Sequence, residues 1–359
     1  MVTHIVTITI GYAAGGNAFA QLWSLITIYP GVLLATAGTL LILTVVVTSM
    51  RAARRRLRYE SWHLLHLYAY LGVGLALPHQ IWTGSDFTSS VAARAYWWTL
   101  YAAALGAVLA YRIGLPLIRN RRHRLVVSGV VPEGPGLTSV YLTGERLGEL
   151  PVRAGQFFTW RFLDGTGWTR ANPFSLSASP RTDQLRITAK SRGDGSSRLA
   201  TLEPGTKVLF EGPFGRLTGE HYEGGPVVLI ACGIGVTPLL SLLGELPYGP
   251  GEATLIYRVR SEEEIAFAAE LQWYAEHRGV NVVPVTGHRA DGPSWLPAEL
   301  ATQGDAEVLR QAAPRIAEAR IYICGPAEWA AAASAASKAA GVRAARITSN
   351  PSPGKGALE

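Results

Sequence analysis

The first fifty residues contain no Lys, Arg, Asp or Glu, and this limits the possible folds more than any other feature of the chain. An uncharged, apolar opening cannot form the surface of a water-soluble domain. Three apolar stretches, 22–49, 62–82 and 95–117, each reach the roughly 20 residues that a helix needs to cross a bilayer core of about 30 Å. Five arginines fall in "RAARRRLRYE" (51–60) and four more in "RNRRHR" (119–124). The intervening loop 83–94 carries only Asp86 and Arg94. Cytoplasmic loops are the ones enriched in Arg and Lys, so both clusters are expected on that side and everything after Arg119 with them. Membrane orientation accounts for the formal charge of +7 without any nucleic acid partner.

The apolar part also carries imidazoles. "SWHLLHLYAYLGVGLALPHQIWTG" (61–84) holds His63, His66 and His79. A titratable side chain inside a span is costly and marks a proton relay, a cofactor ligand or an ion site. His66 and His79 lie 13 residues apart, about 20 Å along an ideal helix. That spacing admits two haems stacked across the membrane, since neutral imidazole is the usual ligand of b-type haem iron. A hydrogen-bonded pair of buried histidines is the other reading, because 13 residues leave the two rings on different faces unless Pro78 rewinds the last turn. His63 is expected at the interface. His4 sits in "MVTHIVTITIGYA", about 18 Å of helix, too short to span. This segment is expected to be the outer half of a helix whose start is missing, and His4 to face His79.

With 359 residues, 48% of them hydrophobic, the chain is long enough for two or three domains. Beyond Arg119 its polarity is that of a soluble protein. The two cysteines, Cys232 and Cys324, both lie there and give no disulfide framework, which fits a reducing compartment. From 123 to 222 short β patterns alternate with Gly/Pro turns: "HRLVVSGVV", "TSVYLTG", "FFTWRF", "QLRITAK" and "KVLFEGPFG". Strands at this spacing predict an antiparallel barrel. "RANPFSLSASP" (170–180) places an aromatic and two hydroxyls on one alternating strand. "KSRGDGSSRLATL" (190–202) turns through glycines into a helix start, whose free amides at Gly195 and Ser196 suit a pyrophosphate.

After residue 226 the pattern becomes strand, glycine turn, helix. "PVVLIACGIGVTPLLSLL" (226–243) is a buried strand, a turn at Gly233-Ile234-Gly235 and a helix starting near Thr237-Pro238. "ATLIYRVRS", "GVNVVPVTG" and "ARIYICGPAEWAAAA" add three strands, with helix between them over 262–277. The expectation is a parallel doubly wound sheet. Arg258, Arg260 and Ser261, at the end of the second strand, are candidates for a 2′-phosphate and favour NADPH over NADH. Glu262 to Glu264 weigh against it.

In this order of motifs, residues 123–345 resemble the ferredoxin reductase-type FAD and NAD(P)H module. Residues 1–118 resemble the later part of a ferric reductase-like transmembrane domain, a combination found in ferric reductases and NADPH oxidases. The resemblance implies a multidomain chain: a haem-binding membrane α-helical bundle (1–118), an antiparallel β-barrel FAD domain (119–222) and an α/β Rossmann-like NAD(P)-binding domain (223–347). The carboxyl end departs from the relatives, which often close on an acidic and aromatic stretch: "ITSNPSPGKGALE" reads as a flexible tail (348–359). The resemblance also implies that Asn172, Pro173, Phe174 and Ser175 lie along the flavin, with Phe174 against it and Ser175 near its reactive nitrogen. Asn172 stands where relatives often have His or Arg. Lys190, Gly193, Gly195 and Ser196 match the pyrophosphate segment. Gly233, Gly235, Thr237 and Pro238 match the dinucleotide glycine motif, with Cys232 where glycine is common. Cys324, Gly325 and Pro326 match the segment beside the nicotinamide, and Ser175 and Cys324 are the implied catalytic residues. For metal, His4 and His79 match one haem pair and His66 one ligand of another, whose partner lies before Met1.

NAD(P)H gives up a hydride and haem iron takes one electron, so FAD must stand between them. The implied protein is an integral cell-membrane oxidoreductase with cytoplasmic FAD and NAD(P)H domains and a small-molecule or ionic acceptor, ferric iron or oxygen, on the far side. A membrane-tethered flavin reductase with a cytoplasmic acceptor, and a non-enzymatic haem-binding fragment, are the alternatives.

Overall fold

The computed structural model describes residues 1–50, 59–84, 87, 90–165, 171–191, 193–290 and 292–352. They fall into two compact units, Met1–Ile113 and Gly114 onward.

The first unit is helical: α1 (Val2–Ala13), α2 (Ala18–Ile28), α3 (Val32–Ser49), α4 (Tyr59–Thr83) and α5 (Val91–Leu109). The span expected over 22–49 is two helices rather than one. Pro30 has no amide to continue the ladder, and Tyr29 before it is extended (ψ 134°). Gly31 then turns through the left-handed region (φ 79°) to open α3. The stretch 62–82 lies within α4, which carries Pro78 in its interior. Among the described residues, Val32–Ser49 and Val91–His123 are long and apolar enough to cross a membrane. The hydroxyls of Thr36, Thr44, Thr48 and Ser49 each donate to the carbonyl four residues back, so these polar atoms need no water.

Helices α3 and α4 run antiparallel at backbone contact. A Cβ on Gly38 would run into the Gly72 carbonyl oxygen, and one on Gly72 would come within 2.8 Å of the Gly38 oxygen. Such small-residue crossings let helices meet where lipid offers no hydrophobic drive. The same pairing sets Gly31 against the Pro78–His79 backbone, 2.7 Å from the His79 nitrogen for an added Cβ.

The second unit begins with α6 (Leu115–His123) and six strands: β1 (Val126–Gly134), β2 (Leu137–Thr143), β3 (Phe157–Phe162), β4 (Asn172–Ser175), β5 (Leu185–Lys190) and β6 (Val208–Phe214). Their pairing corrects the expectation of a barrel. They form two three-stranded antiparallel sheets, β1-β2-β5 and β4-β3-β6, joined by single bridges at Val126–Lys207 and Leu176–Ile187. Continuous closure is prevented at both ends. β1 slips register twice against β2, and β4 is four residues long with Pro173 lacking an amide. One core still fills the space between the sheets, with Phe158, Trp160, Phe210, Val140 and Ile187 all at most 1% exposed. Strand β6 is an edge, and α6 covers it. The Asn120 side chain donates to the Phe210 carbonyl and accepts from the Phe210 amide, both at 2.9 Å, while Arg119 donates to the Gly212 carbonyl.

The remainder is a five-stranded parallel sheet in the order β11-β10-β7-β8-β9, built from β7 (Val227–Cys232), β8 (Ala253–Arg258), β9 (Asn281–Val285), β10 (Arg320–Pro326) and β11 (Ile347–Ser352). Helices α7 (Val236–Glu245), α8 (Ala268–Arg278), α9 (Asp305–Ala312) and α10 (Ala327–Ala339) accompany it. The β7 side chains alternate between two cores, Val227, Leu229 and Ala231 on one face and Val228 and Ile230 on the other, the period-two signature of a strand covered on both sides. Strand β11 corrects the expectation of a tail from 348. β-branched Ile347 and Thr348 extend the sheet beside β10 as far as Ser352, and residues 353–359 lie outside the described part.

Candidate functional site

Strand order reverses between β7 and β10, and in an open parallel sheet the crevice at such a reversal, outside the carboxyl ends of the strands, is where ligands bind. Two expected motifs meet there. Strand β7 ends at Cys232, the chain turns through Gly233-Ile234-Gly235 and enters α7. Neighbouring β10 ends at Cys324-Gly325-Pro326. The turn lies directly on the second strand end: a Cβ on Gly235 would strike the Cys324 carbonyl oxygen and come within 2.7 Å of its carbon. The Thr237 hydroxyl donates to the Ile234 carbonyl (2.9 Å), so this side chain braces the turn. Thr237 and Pro238 are both buried in the first turns of α7.

The strand-rich lobe lies across α7 from this sheet. Residues Val236 to Leu243 of that helix are all buried because the sheet covers one side, while Leu137, Ala154 and Leu217 of the strand-rich lobe join the same core. Ser241 donates to the Ala178 carbonyl (2.7 Å) and Glu245 accepts from the Ala154 amide (2.9 Å). Strand β4 holds Asn172, half-buried Phe174 and half-buried Ser175 with exposed Pro173. Phe174 pairs with Phe158 and its carbonyl accepts from Trp160 Nε1 (3.0 Å). The expected pyrophosphate segment comes to the same place: a Cβ on Gly195 would collide with Asn172 Oδ1. The Ser196 hydroxyl donates to the Gly193 carbonyl (3.0 Å). Lys190, at the end of β5, pairs with Glu264 at 3.7 Å.

Arg258 is corrected. It is 6% exposed, and its guanidinium donates to the carbonyls of Val259, Val285 (3.5 Å) and His288 (3.2 Å). A fork committed to three carbonyls has no face for a phosphate, and burial lowers its pKa. Arg260 is exposed and Ser261 half-buried beside it. Sequence alternation marks Arg258 as a strand end without telling which side of the sheet edge its side chain takes.

Burial pushes the Cys324 thiol from its ordinary 9.0 to about 12, with Cys232 adding to the shift. Tyr222, Tyr248 and Tyr257 rise from 10.0 to about 12, burial again leading. The Cys324 side chain is therefore a neutral, apolar wall of the crevice rather than a nucleophile. All four groups have raised values, so their contribution to stability is intact below pH 9 and is lost as pH climbs through the folded values. The unfolded chain sheds these protons first. Urea midpoints of the second unit should thus hold steady up to pH 9 and fall continuously above it; a midpoint flat to pH 11 would contradict this assignment.

In the first unit, His4 and His79 stand close enough for their charges to interact. The Thr83 hydroxyl oxygen lies 2.7 Å from the His79 carbonyl and 2.9 Å from His79 Nδ1. It donates to the carbonyl when Nδ1 carries the hydrogen and can donate to Nδ1 when it does not, so the contact anchors the ring through Nδ1 in either tautomer. The His66 side chain lies outside the described residues. Thr83, four residues after His79, and the Arg186–Glu270 pair described below were not expected from sequence. A hydroxyl one turn beyond the histidine was the available signal for the first.

Residues 229–335 match the oxidoreductase NAD-binding domain family. The chain is 29% identical over 235 residues to the ferredoxin reductase component of 3-ketosteroid-9-alpha-monooxygenase from Rhodococcus rhodochrous, covering 64% of each. It is 28% identical over 203 residues to the flavohemoprotein of Bacillus subtilis, covering 54% of this chain and 50% of that one. The chain thus spans about half to two thirds of the curated relatives it matches. A ferredoxin NADP+ reductase from Neisseria gonorrhoeae, solved with bound FAD and NADP, superposes with a TM-score of 0.52 at 25% identity, covering 64% of this chain and 98% of that one. The second unit therefore carries a ferredoxin reductase-type FAD/NAD-binding module, and its relatives are oxidoreductases that use this module for electron transfer.

Proposed function

We propose that the chain is a membrane flavocytochrome that takes a hydride from NADPH, or NADH, in the second unit and delivers electrons through the first to an acceptor across the membrane. The observation that carries this reading is the crevice itself, where the glycine turn lies on the Cys324–Pro326 strand end and α7, buried behind the turn, packs against the lobe that carries the flavin strand.

The residues present fit FAD. Gly193 has open space where a Cβ would lie, Gly195 is packed against Asn172 of the flavin strand, and Phe174 and Ser175 sit on that same strand. FAD, when bound, supplies two-electron uptake and one-electron release. The chain does the rest. The turn at Gly233–Gly235 brings backbone amides to the dinucleotide phosphates, and α7 presents its amino end to them. Arg260 and Ser261 are left as the 2′-phosphate contacts once Arg258 is withdrawn. Cys324 keeps a neutral surface beside the nicotinamide. Ser175 offers a hydroxyl to the flavin.

In the apolar helices, His4 and His79 would hold b-type haem, which supplies one-electron chemistry. The feature that fits is Thr83 Oγ1, 2.9 Å from Nδ1, where it could accept the hydrogen of a His79 that would bind iron through Nε2. His66 would serve a second haem. The reading places the first unit in the cell membrane and the second in the cytoplasm, with ferric iron or oxygen as the class of acceptor.

A second reading has one observation in its favour: the curated relatives match over about half to two thirds of the chain, and one is named as a ferredoxin reductase component. A membrane-tethered flavin reductase would serve a cytoplasmic electron carrier. Membranes containing the full chain decide between them. The first reading expects NADPH to bleach bound flavin and then a haem Soret band to shift to its reduced position. Flavin bleaching with no haem absorption would favour the second, and no bleaching at all would sink both.

A further inference from the structure

Arg186 lies on β5, a strand of the flavin lobe, yet its side chain is directed away from solvent and is only 10% exposed. Its guanidinium makes a two-pronged pair with Glu270 of α8 in the dinucleotide lobe, at 2.8 and 3.2 Å. The remaining donors go to Ser177, Nε to the hydroxyl at 3.1 Å and Nη2 to the carbonyl at 2.5 Å. Ser177 continues into a chain of buried hydroxyls through Thr188 to Ser139, each step 2.7 Å. The guanidinium lies 5.0 Å from the centre of the Phe267 ring, and Phe267 is held in the left-handed region (φ 60°), a backbone state that costs a non-glycine residue and persists only where its surroundings dictate it.

These contacts join two particular places. Ser177 follows Ser175, the flavin-strand hydroxyl, by two residues. Phe267 and Glu270 open the helix after β8, whose carboxyl end lies beside that of β7 and the glycine turn. The same loop sends Glu264 to Lys190. We propose that Arg186 and Glu270 are positioning residues that fix the flavin strand relative to the dinucleotide turn, and so set the distance over which the hydride passes. The proposal rests on hydride transfer from NAD(P)H to FAD as read above.

Physics favours positioning over simple stabilisation. Desolvating two charges offsets most of their attraction, so a buried pair adds little net stability. A guanidinium fork, however, meets a carboxylate in one orientation only. Burial works against the charge on Arg186, and Glu270 more than restores it, leaving the pKa raised. The guanidinium therefore stays charged and keeps its fork on the Glu270 carboxylate.

The test is single-turnover reduction of bound flavin by saturating NADPH in the full-length protein and in Arg186→Gln, Glu270→Gln and the double variant. Each single change is expected to slow reduction by about 10- to 100-fold, the cost of a misplacement near 1 Å. NADPH affinity and FAD content should stay as in the parent. The double variant should be no slower than the slower single, since both prongs act through one contact. Arg186→Lys, which keeps charge and loses the fork, should not restore the rate. Glu307→Gln, in an exposed pair with Arg310 on α9, is the control for surface charge. Glu270 is part-exposed and glutamine nearly isosteric, so Glu270→Gln decides the matter alone if the arginine variants do not fold. Unchanged reduction rates alongside a lowered melting temperature would make the pair structural and overturn the proposal. An unmodified protein whose flavin NADPH does not reduce would instead remove the function on which it rests.

Discussion

Gly235→Ala should raise the Kd for NADPH by about 10- to 100-fold while FAD stays bound. An added Cβ would meet the Cys324 carbonyl oxygen, then its carbonyl carbon at 2.7 Å and the Gly325 nitrogen at 3.1 Å. All three are backbone atoms, so no side chain can swing aside, and either the turn or the end of β10 must move. Overpacking of this kind costs about 1–3 kcal/mol. The cost falls on the crevice, because α7 beyond the turn is locked in one core shared by the sheet and the strand-rich lobe. Gly233→Ala is the informative contrast. It meets nothing within 4 Å but sits at φ 54°, so it carries only the left-handed penalty of about 1–2 kcal/mol and leaves β10 in place. Titration of both variants with NADPH, followed by flavin fluorescence, separates the two effects. Equal affinities for Gly235→Ala and the parent would mean that the dinucleotide does not use this turn.

Sequence exposes this crevice well because its chemistry lies in short, contiguous patterns. A run such as Val227–Cys232 followed by Gly-Ile-Gly can hardly be other than a buried strand entering a tight turn. The companion strand ending in Cys324-Gly325-Pro326 announces itself likewise. Whatever depends on the direction of one side chain is invisible. Arg258 and Arg260 look equivalent in "YRVRS", two positions apart on what would be one strand face, yet β8 ends at Arg258, which turns inward to three carbonyls, and Arg260 beyond it is left in water. Arg186 looks like a solvated residue on a half-buried strand. In fact β5 is buried on both faces, because the dinucleotide lobe covers the side that would otherwise be wet. The break at Pro30-Gly31 is written in the sequence as a Pro-Gly pair, but the unbroken apolar composition of 22–49 around it hides the change of helix. Barrel closure depended on register slips in β1, and pairing register is a tertiary property that no local pattern carries.

On the flavocytochrome reading proposed above, His79→Leu should remove a haem, and His4→Leu should remove the same one. An imidazole that would bind iron through Nε2 carries its hydrogen on Nδ1, and Thr83 Oγ1, 2.9 Å from Nδ1 and 2.7 Å from the His79 carbonyl, is placed to accept it. The backbone that bears the ring is held as well, since Pro78–His79 lies against Gly31 of the helix break. His4, 75 positions earlier in the chain, lies within its electrostatic reach. Thr83→Val keeps the shape and deletes the acceptor, so it should weaken haem retention by about 10- to 100-fold, the usual toll for losing the group that orients a metal-bound histidine. Thr83→Ser, which keeps the hydroxyl, should restore it. The readout is the Soret absorbance per flavin in purified protein, and it does not depend on turnover. If the two leucine variants left that ratio untouched, His4 and His79 would be a hydrogen-bonded pair in an apolar bundle, and the electrons would leave the flavin on the side from which they came.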